Sequence, residues 1–322
     1  MVSCKKDKPA YTYNPTPYNL EIPEGFPQMP INPDNPLTKE GVELGKKLYY
    51  DVRLSDGGPQ AGNSCATCHI QSKSFADNSP GVSVLPHVNL GWGTKHWLWN
   101  GSKQGYLEDA MMFEVEEFFQ VDVSRLKQDT AYKRMFYEAF GKEEITSKEV
   151  AYALAQFVRT LISGNSKYDK YKRGEIDLTE SEKRGMAIFF SERGDCFHCH
   201  VPPLFTDFDM HNIGLDSMPS DPEDWGLFVV TGDSADIGKF RTPTLRNVAV
   251  TGPYMHDGRF KTLDEVIDFY SEGVKNSPTL DPIMNHNGGI HLNLTPQEKE
   301  DLKAFLLTLT DESFLSAPSH RP

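Results

Sequence analysis

Two segments of the chain share a spacing that performs covalent chemistry: Cys65-Ala-Thr-Cys68-His69 and Cys196-Phe-His-Cys199-His200. Two thiols separated by two residues can each close a thioether onto a vinyl group of one porphyrin. The histidine that follows then offers its imidazole to the iron. A single copy would also suit a redox dithiol or half of a zinc site. Two copies, each ending in histidine, in a 322-residue chain with five cysteines, point to two covalent c-type haems. The fifth cysteine, Cys4, lies in Met1-Val2-Ser3-Cys4-Lys5-Lys6, which has no signal peptide. It reads either as the lipid-acceptor cysteine of a trimmed export signal or as a leftover free thiol. Haem attachment of this kind takes place outside the cytoplasm.

Elements around the motifs must hold them in place. Residues 1–36 contain Pro15, Pro17, Pro23, Pro27, Pro30, Pro33 and Pro36, which break helices and predict a tether and an extended arm. Thr38 to Tyr50 predicts a helix capped by Thr38, with Val42, Gly45 and Tyr49 on one face, and the Gly-rich loop 55–63 leads from it to the first motif. Thr179-x-x-Glu182 forms a capping box for a helix through Gly185, Ile188 and Phe189 that leads to the second. Leu-Thr, a glycine-bearing helix and the cysteine motif thus occur twice, an internal duplication. Thr146-x-x-Glu149 opens a helix with an apolar stripe of Val150, Leu154, Phe157, Val158 and Leu161 that stops at Gly164. Thr295-Pro296-Gln297-Glu298 opens the last helix, with Leu302, Phe305, Leu306 and Leu309 facing inward. Ser166–Asp177 reads as a polar linker, and alternating strand patterns are almost absent. The expectation is an all-α, mostly helical chain: an arm (1–36) and two tandem cytochrome c-like domains, 37–165 and 166–322.

The net charge of -13 argues against nucleic acid or an anionic membrane surface as partner. It would steer a basic redox partner, or simply keep the exterior solvated. No apolar run is long enough to span a bilayer.

Leu44-Gly45-Lys46-Lys47-Leu48-Tyr49-Tyr50-Asp51, Leu54-Ser55, the first cysteine motif, Phe75-Ala76-Asp77 and Trp99-Asn100-Gly101 resemble the bacterial di-haem cytochrome c peroxidase/MauG family. So do Arg241-Thr242-Pro243-Thr244-Leu245-Arg246-Asn247 and Gly252-Pro253-Tyr254-Met255-His256-Asp257-Gly258. The resemblance follows the same order over most of the chain beyond the arm. It implies a periplasmic enzyme whose N-terminal haem, held by His69, meets hydrogen peroxide while the C-terminal haem, held by His200, handles electrons. It further implies a calcium ion between the domains, with backbone oxygens of Thr251 and Pro253 as ligands, and a homodimer. Where the family has a calcium-ligating Arg-Asn pair, this chain has Val82-Ser83.

Three further residues follow from the resemblance. Trp99 takes the place of the tryptophan that lies between the haems and couples them, with Trp92 and Trp97 as core aromatics nearby. Tyr270 falls where ordinary peroxidases of the family place a methionine ligand to the second haem and MauG places a tyrosine. A phenolate there stabilises high oxidation states of iron; Met255 or Met284 would ligate if Tyr270 were core. The family's distal glutamate matches Gln120 without gaps, and a small gap brings Glu117 into register, with Glu116 and Glu114 close by. Gln120 cannot serve as a general base, so Glu117 carries the acid–base expectation. His87 reads as a distal ligand that must leave or as a core or surface histidine. Three functions stand: a peroxide reductase fed by a small cytochrome or cupredoxin, taken first; a MauG-like oxidase of a protein or aromatic substrate; and a non-catalytic di-haem electron carrier.

Overall fold

The computed structural model describes residues 11–77, 83–285 and 289–322; Cys4 and Val82 lie outside them. Strands among the described residues amount to two short antiparallel pairs, His96–Trp97 with Lys103–Gln104 and Met210–His211 with Phe240–Arg241. The remainder is helix, turn and loop.

Two crossed helix pairs carry the structure, and each crossing depends on a glycine. The helix Lys39–Tyr50 begins at Thr38, whose hydroxyl accepts from the Gly41 amide at 3.0 Å. It lies so close to the helix Ser147–Arg159 that a Cβ on Gly45 would sit 1.9 Å from the Ala153 carbonyl oxygen. In the second half, the helix Glu180–Phe189 meets Pro296–Leu307 in the same way, and a Cβ on Gly185 would fall 1.8 Å from the Asp301 carbonyl oxygen. Capping boxes start three of these helices, at Thr146 with Glu149, Thr179 with Glu182 and Thr295 with Glu298.

The apolar faces form two separate cores. Leu44, Leu48, Tyr49, Phe136, Val150, Leu154 and Phe157 belong to the first, and Ile188, Phe189, Phe205, Leu302, Phe305 and Leu309 to the second. The segment 11–36 runs along the first half: the Tyr18 amide donates to the Leu37 carbonyl, and the Trp92 indole donates to the Pro27 carbonyl. Asn35 donates to Glu108, whose buried carboxylate also takes both terminal nitrogens of Arg159.

Ser166–Asp177 is not the unstructured linker its polarity suggests. Ser166 caps a helix over Lys167–Lys172, and Asp169 accepts two guanidinium bonds from buried Arg246, at 2.7 and 2.9 Å. A bidentate charge pair holds this polar segment against the second core.

Candidate functional site

The four motif cysteines are unbridged. Each following histidine is oriented by the same device. His69 Nδ1 lies 2.8 Å from the Phe75 carbonyl oxygen and His200 Nδ1 3.1 Å from that of Phe205. Both phenylalanines hold positive φ, 59° and 54°, a strained conformation for a bulky side chain that aims each carbonyl at the imidazole. A carbonyl can only accept, so Nδ1 carries the proton and the lone pair resides on Nε2. Burial pulls His69 down to about 4 and lowers His200 as well, so both stay neutral.

These residues fit a haem. A second observation supports the fit. Arg241 is 4% exposed, its Nε has no partner, and burial lowers it to about 10. Its guanidinium lies over the rings of Trp97 and Phe208, with no carboxylate partner among the described residues. Haem propionates are the counter-charge such a cation lacks. Its motif stood out in the sequence, but nothing local to Arg241-Thr242-Pro243 marks the arginine as buried and unpaired.

Above each motif a helix loosens into a π-turn. The helix Leu107–Phe113 continues as Glu114–Phe118, and Leu263–Asp268 continues as Phe269–Gly273. Their starts are equivalent: the Tyr106 amide donates to Asp109 and the Thr262 amide to Glu265. From Leu107 to Glu114 is the same interval as from Leu263 to Tyr270, so the duplication sets Glu114 opposite Tyr270. The electrostatics agree. Burial first, and then nearby acids that include Glu114, raise the Cys65 and Cys68 thiols, and burial pushes the Glu114 carboxyl up to about 7. Burial, and then the sulfurs of Cys199 and Cys196, push the Tyr270 phenol upward. Its hydroxyl has no partner among the described residues. Met255 and Met284 pack beside it in a small cluster with Leu215, Phe269 and Val274.

The two residues expected for peroxide chemistry lie elsewhere. The Glu117 side chain is 59% exposed and ion-paired with Lys103 at 2.6 Å. Gln120 is exposed beyond the π-turn, at φ 52°. The π-turn changes which face each acid presents, so Glu114 is the one turned inward. His87 is buried and stacks on His69 with ring centroids 3.5 Å apart, too close for a metal ion to lie between the two rings.

Trp99 is half-buried on the seam between the halves. Its indole donates to the Ser83 carbonyl at 2.7 Å, and its own carbonyl accepts from the Arg241 amide at 2.9 Å. Trp92 and Trp97 are core residues. The Ser83 hydroxyl donates to the Pro253 carbonyl at 3.1 Å, next to Thr251. This donor set is a poor one for calcium: it offers backbone carbonyls and one hydroxyl, while Lys73 and Lys261 line the adjoining cavity of about 260 Å³, with no carboxylate on its wall among the described residues.

The model of the di-haem cytochrome c peroxidase family matches residues 39–177. The chain is 37% identical over 295 residues to the methylamine utilization protein MauG of Methylorubrum extorquens, covering 86% of this chain and 80% of the relative. It is 32% identical over 336 residues to the cytochrome-c peroxidase IdrP1 of a Pseudomonas species, covering 88% and 84%. A solved structure of a MauG-like protein associated with microbial copper homeostasis superposes with a TM-score of 0.84 at 34% identity, covering 94% of this chain and 98% of that one.

Proposed function

The chain belongs to the di-haem cytochrome c peroxidase and MauG family, and we propose that within it the protein is a MauG-like, peroxide-dependent oxidase of an aromatic group on a partner protein. One observation carries this reading: Tyr270, inward-facing beside Cys196 and Cys199, with its hydroxyl free to meet the second iron. When bound, the two haems supply the iron that accepts and passes on the oxidising equivalents of peroxide.

The chain's own groups do the rest. Reduction of peroxide to two waters consumes two electrons, drawn from the substrate, and two protons. Glu114 takes the proton from the near oxygen of peroxide and returns it to the departing one, a task for a carboxyl poised near neutrality. The Phe75 and Phe205 carbonyls keep His69 and His200 in the ligating tautomer. Tyr270 offers a hard oxygen donor, and Arg241 balances negative charge between the halves. Trp99, pinned by Ser83 and Arg241, is the oxidisable aromatic on that seam. Covalent haem attachment puts the protein in the periplasm in this reading.

The test is to incubate the holoprotein and peroxide with candidate partner proteins and measure partner mass. Oxygen insertion or cross-linking at aromatic residues supports the oxidase. Peroxide consumption sustained only by a reduced small cytochrome or cupredoxin, with no partner modified, supports the second reading, a peroxidase. The net charge of -13 would steer a basic partner in either reading.

A further inference from the structure

The duplication pairs residues of the two halves one to one, and it exposes a difference behind the first proximal histidine. Gly45 and Gly185 make the same close approach to a crossing helix, so Tyr49 corresponds to Phe189. The His87 amide donates to the Phe75 carbonyl at 3.2 Å and the Leu245 amide to the Phe205 carbonyl at 3.1 Å, so His87 corresponds to Leu245. The register is checked two residues on. Asn89 and Asn247 both adopt the left-handed conformation, and their amides donate to the Leu161 and Leu309 carbonyls.

In the second half the equivalent residues, Phe189 and Leu245, are both apolar. In the first half they are a buried hydrogen-bonded couple: the Tyr49 hydroxyl lies 3.1 Å from His87 Nδ1, and the His87 ring stacks on His69 at 22° between planes. Tyr49 is fully buried and His87 9% exposed. Burial raises the phenol and lowers the imidazole, so both stay neutral and act through their dipoles.

We propose that Tyr49 and His87 are positioning residues for the first haem that distinguish it from the second. Together with the Phe75 carbonyl they fix the His69 ring and give its surroundings a polarity that His200 lacks. Dipoles beside a proximal ligand stabilise the more highly charged ferric iron over the ferrous form. The pair therefore holds the potential of the first haem below the value that apolar packing like that of Phe189 and Leu245 would give it. This inference relies on the two-haem reading of the chain.

The test is a spectroelectrochemical titration of the holoprotein carrying Tyr49→Phe together with His87→Leu. That pair copies the packing already present at Phe189 and Leu245, so the fold tolerates it. His87→Leu alone would strand a buried hydroxyl, and Tyr49→Phe alone serves as the second variant. The expected result is a rise in the potential of one haem, larger in the double variant, with the other unmoved. Unmoved potentials, or equal shifts of both, overturn the proposal. Haem content measured first by pyridine haemochrome separates the two claims. One haem per chain overturns the two-haem reading and this inference with it, whereas unmoved potentials with two haems overturn this inference alone.

Discussion

Glu114 and Tyr270 occupy the same step of a duplicated unit, each just past the point where a capped helix loosens into a π-turn beside a pair of haem-motif cysteines. One step of the fold thus presents an acid to the first motif and a phenol to the second. The scaffold is shared, and in the proposed reading the two residue types divide the chemistry between proton transfer and iron ligation.

Glu114→Gln removes the only inward-facing acid of this turn. The expected outcome is a fall in the rate of reaction with peroxide of about 10²- to 10⁴-fold. Glu117→Gln, at an exposed ion pair, leaves the rate unchanged. A base must be ionised to act, so the wild-type rate rises with pH through about 7 and levels above it, and Glu114→Gln loses that rise. The same carboxyl is costly to ionise in the fold, so its contribution to stability declines as pH climbs from the ordinary carboxylate range through 7. Stopped-flow mixing across pH checks the rates; a normal profile in Glu114→Gln would contradict the assignment.

Tyr270→Phe deletes the oxygen beside Cys196 and Cys199 while keeping the ring that packs on Phe269. The ferric absorption and electron paramagnetic resonance spectra of one haem change and those of the other do not. Identical spectra would show that Tyr270 is core.

Tyr270 was singled out by the family resemblance alone, whereas the cysteine motifs and the capping boxes were legible because each is a local pattern, a fixed spacing or a Thr-x-x-Glu cap. The duplication was visible at its two helices for the same reason. Glu114 was not, since an ungapped match leads to Gln120, and helical periodicity cannot foresee a π-turn that shifts every following side chain. Arg241, His87 and Asp169 owe their roles to partners far away in sequence, Trp97, Tyr49 and Arg246. The linker 166–177 was misread for that reason: its charge signalled solvent, but one of its acids pairs with a buried arginine.

Arg159 and Glu108 form a buried bidentate pair with Asn35 as a third partner. Arg159→Met leaves the carboxylate without its counter-charge and costs about 3–5 kcal/mol. Urea unfolding of the holoprotein measures it; a change below about 1 kcal/mol would mean that water or a neighbour replaces the guanidinium.

Calcium chelation is expected to leave the protein untouched, because lysines line the cavity beside Pro253 and no described carboxylate does. Elemental analysis of the purified protein should find no stoichiometric calcium, and a chelator should not move the melting temperature. One calcium per chain, lost with a drop in stability, would contradict this.

The most direct test is to mix the fully ferric protein with one equivalent of hydrogen peroxide and record visible and near-infrared spectra. A tyrosine-ligated second haem coupled to the first through the Trp99 seam predicts prompt reaction without prior reduction, with both haems changing together and a new near-infrared band. No reaction until one haem has been reduced would contradict the MauG-like account and leave the primed peroxidase in its place.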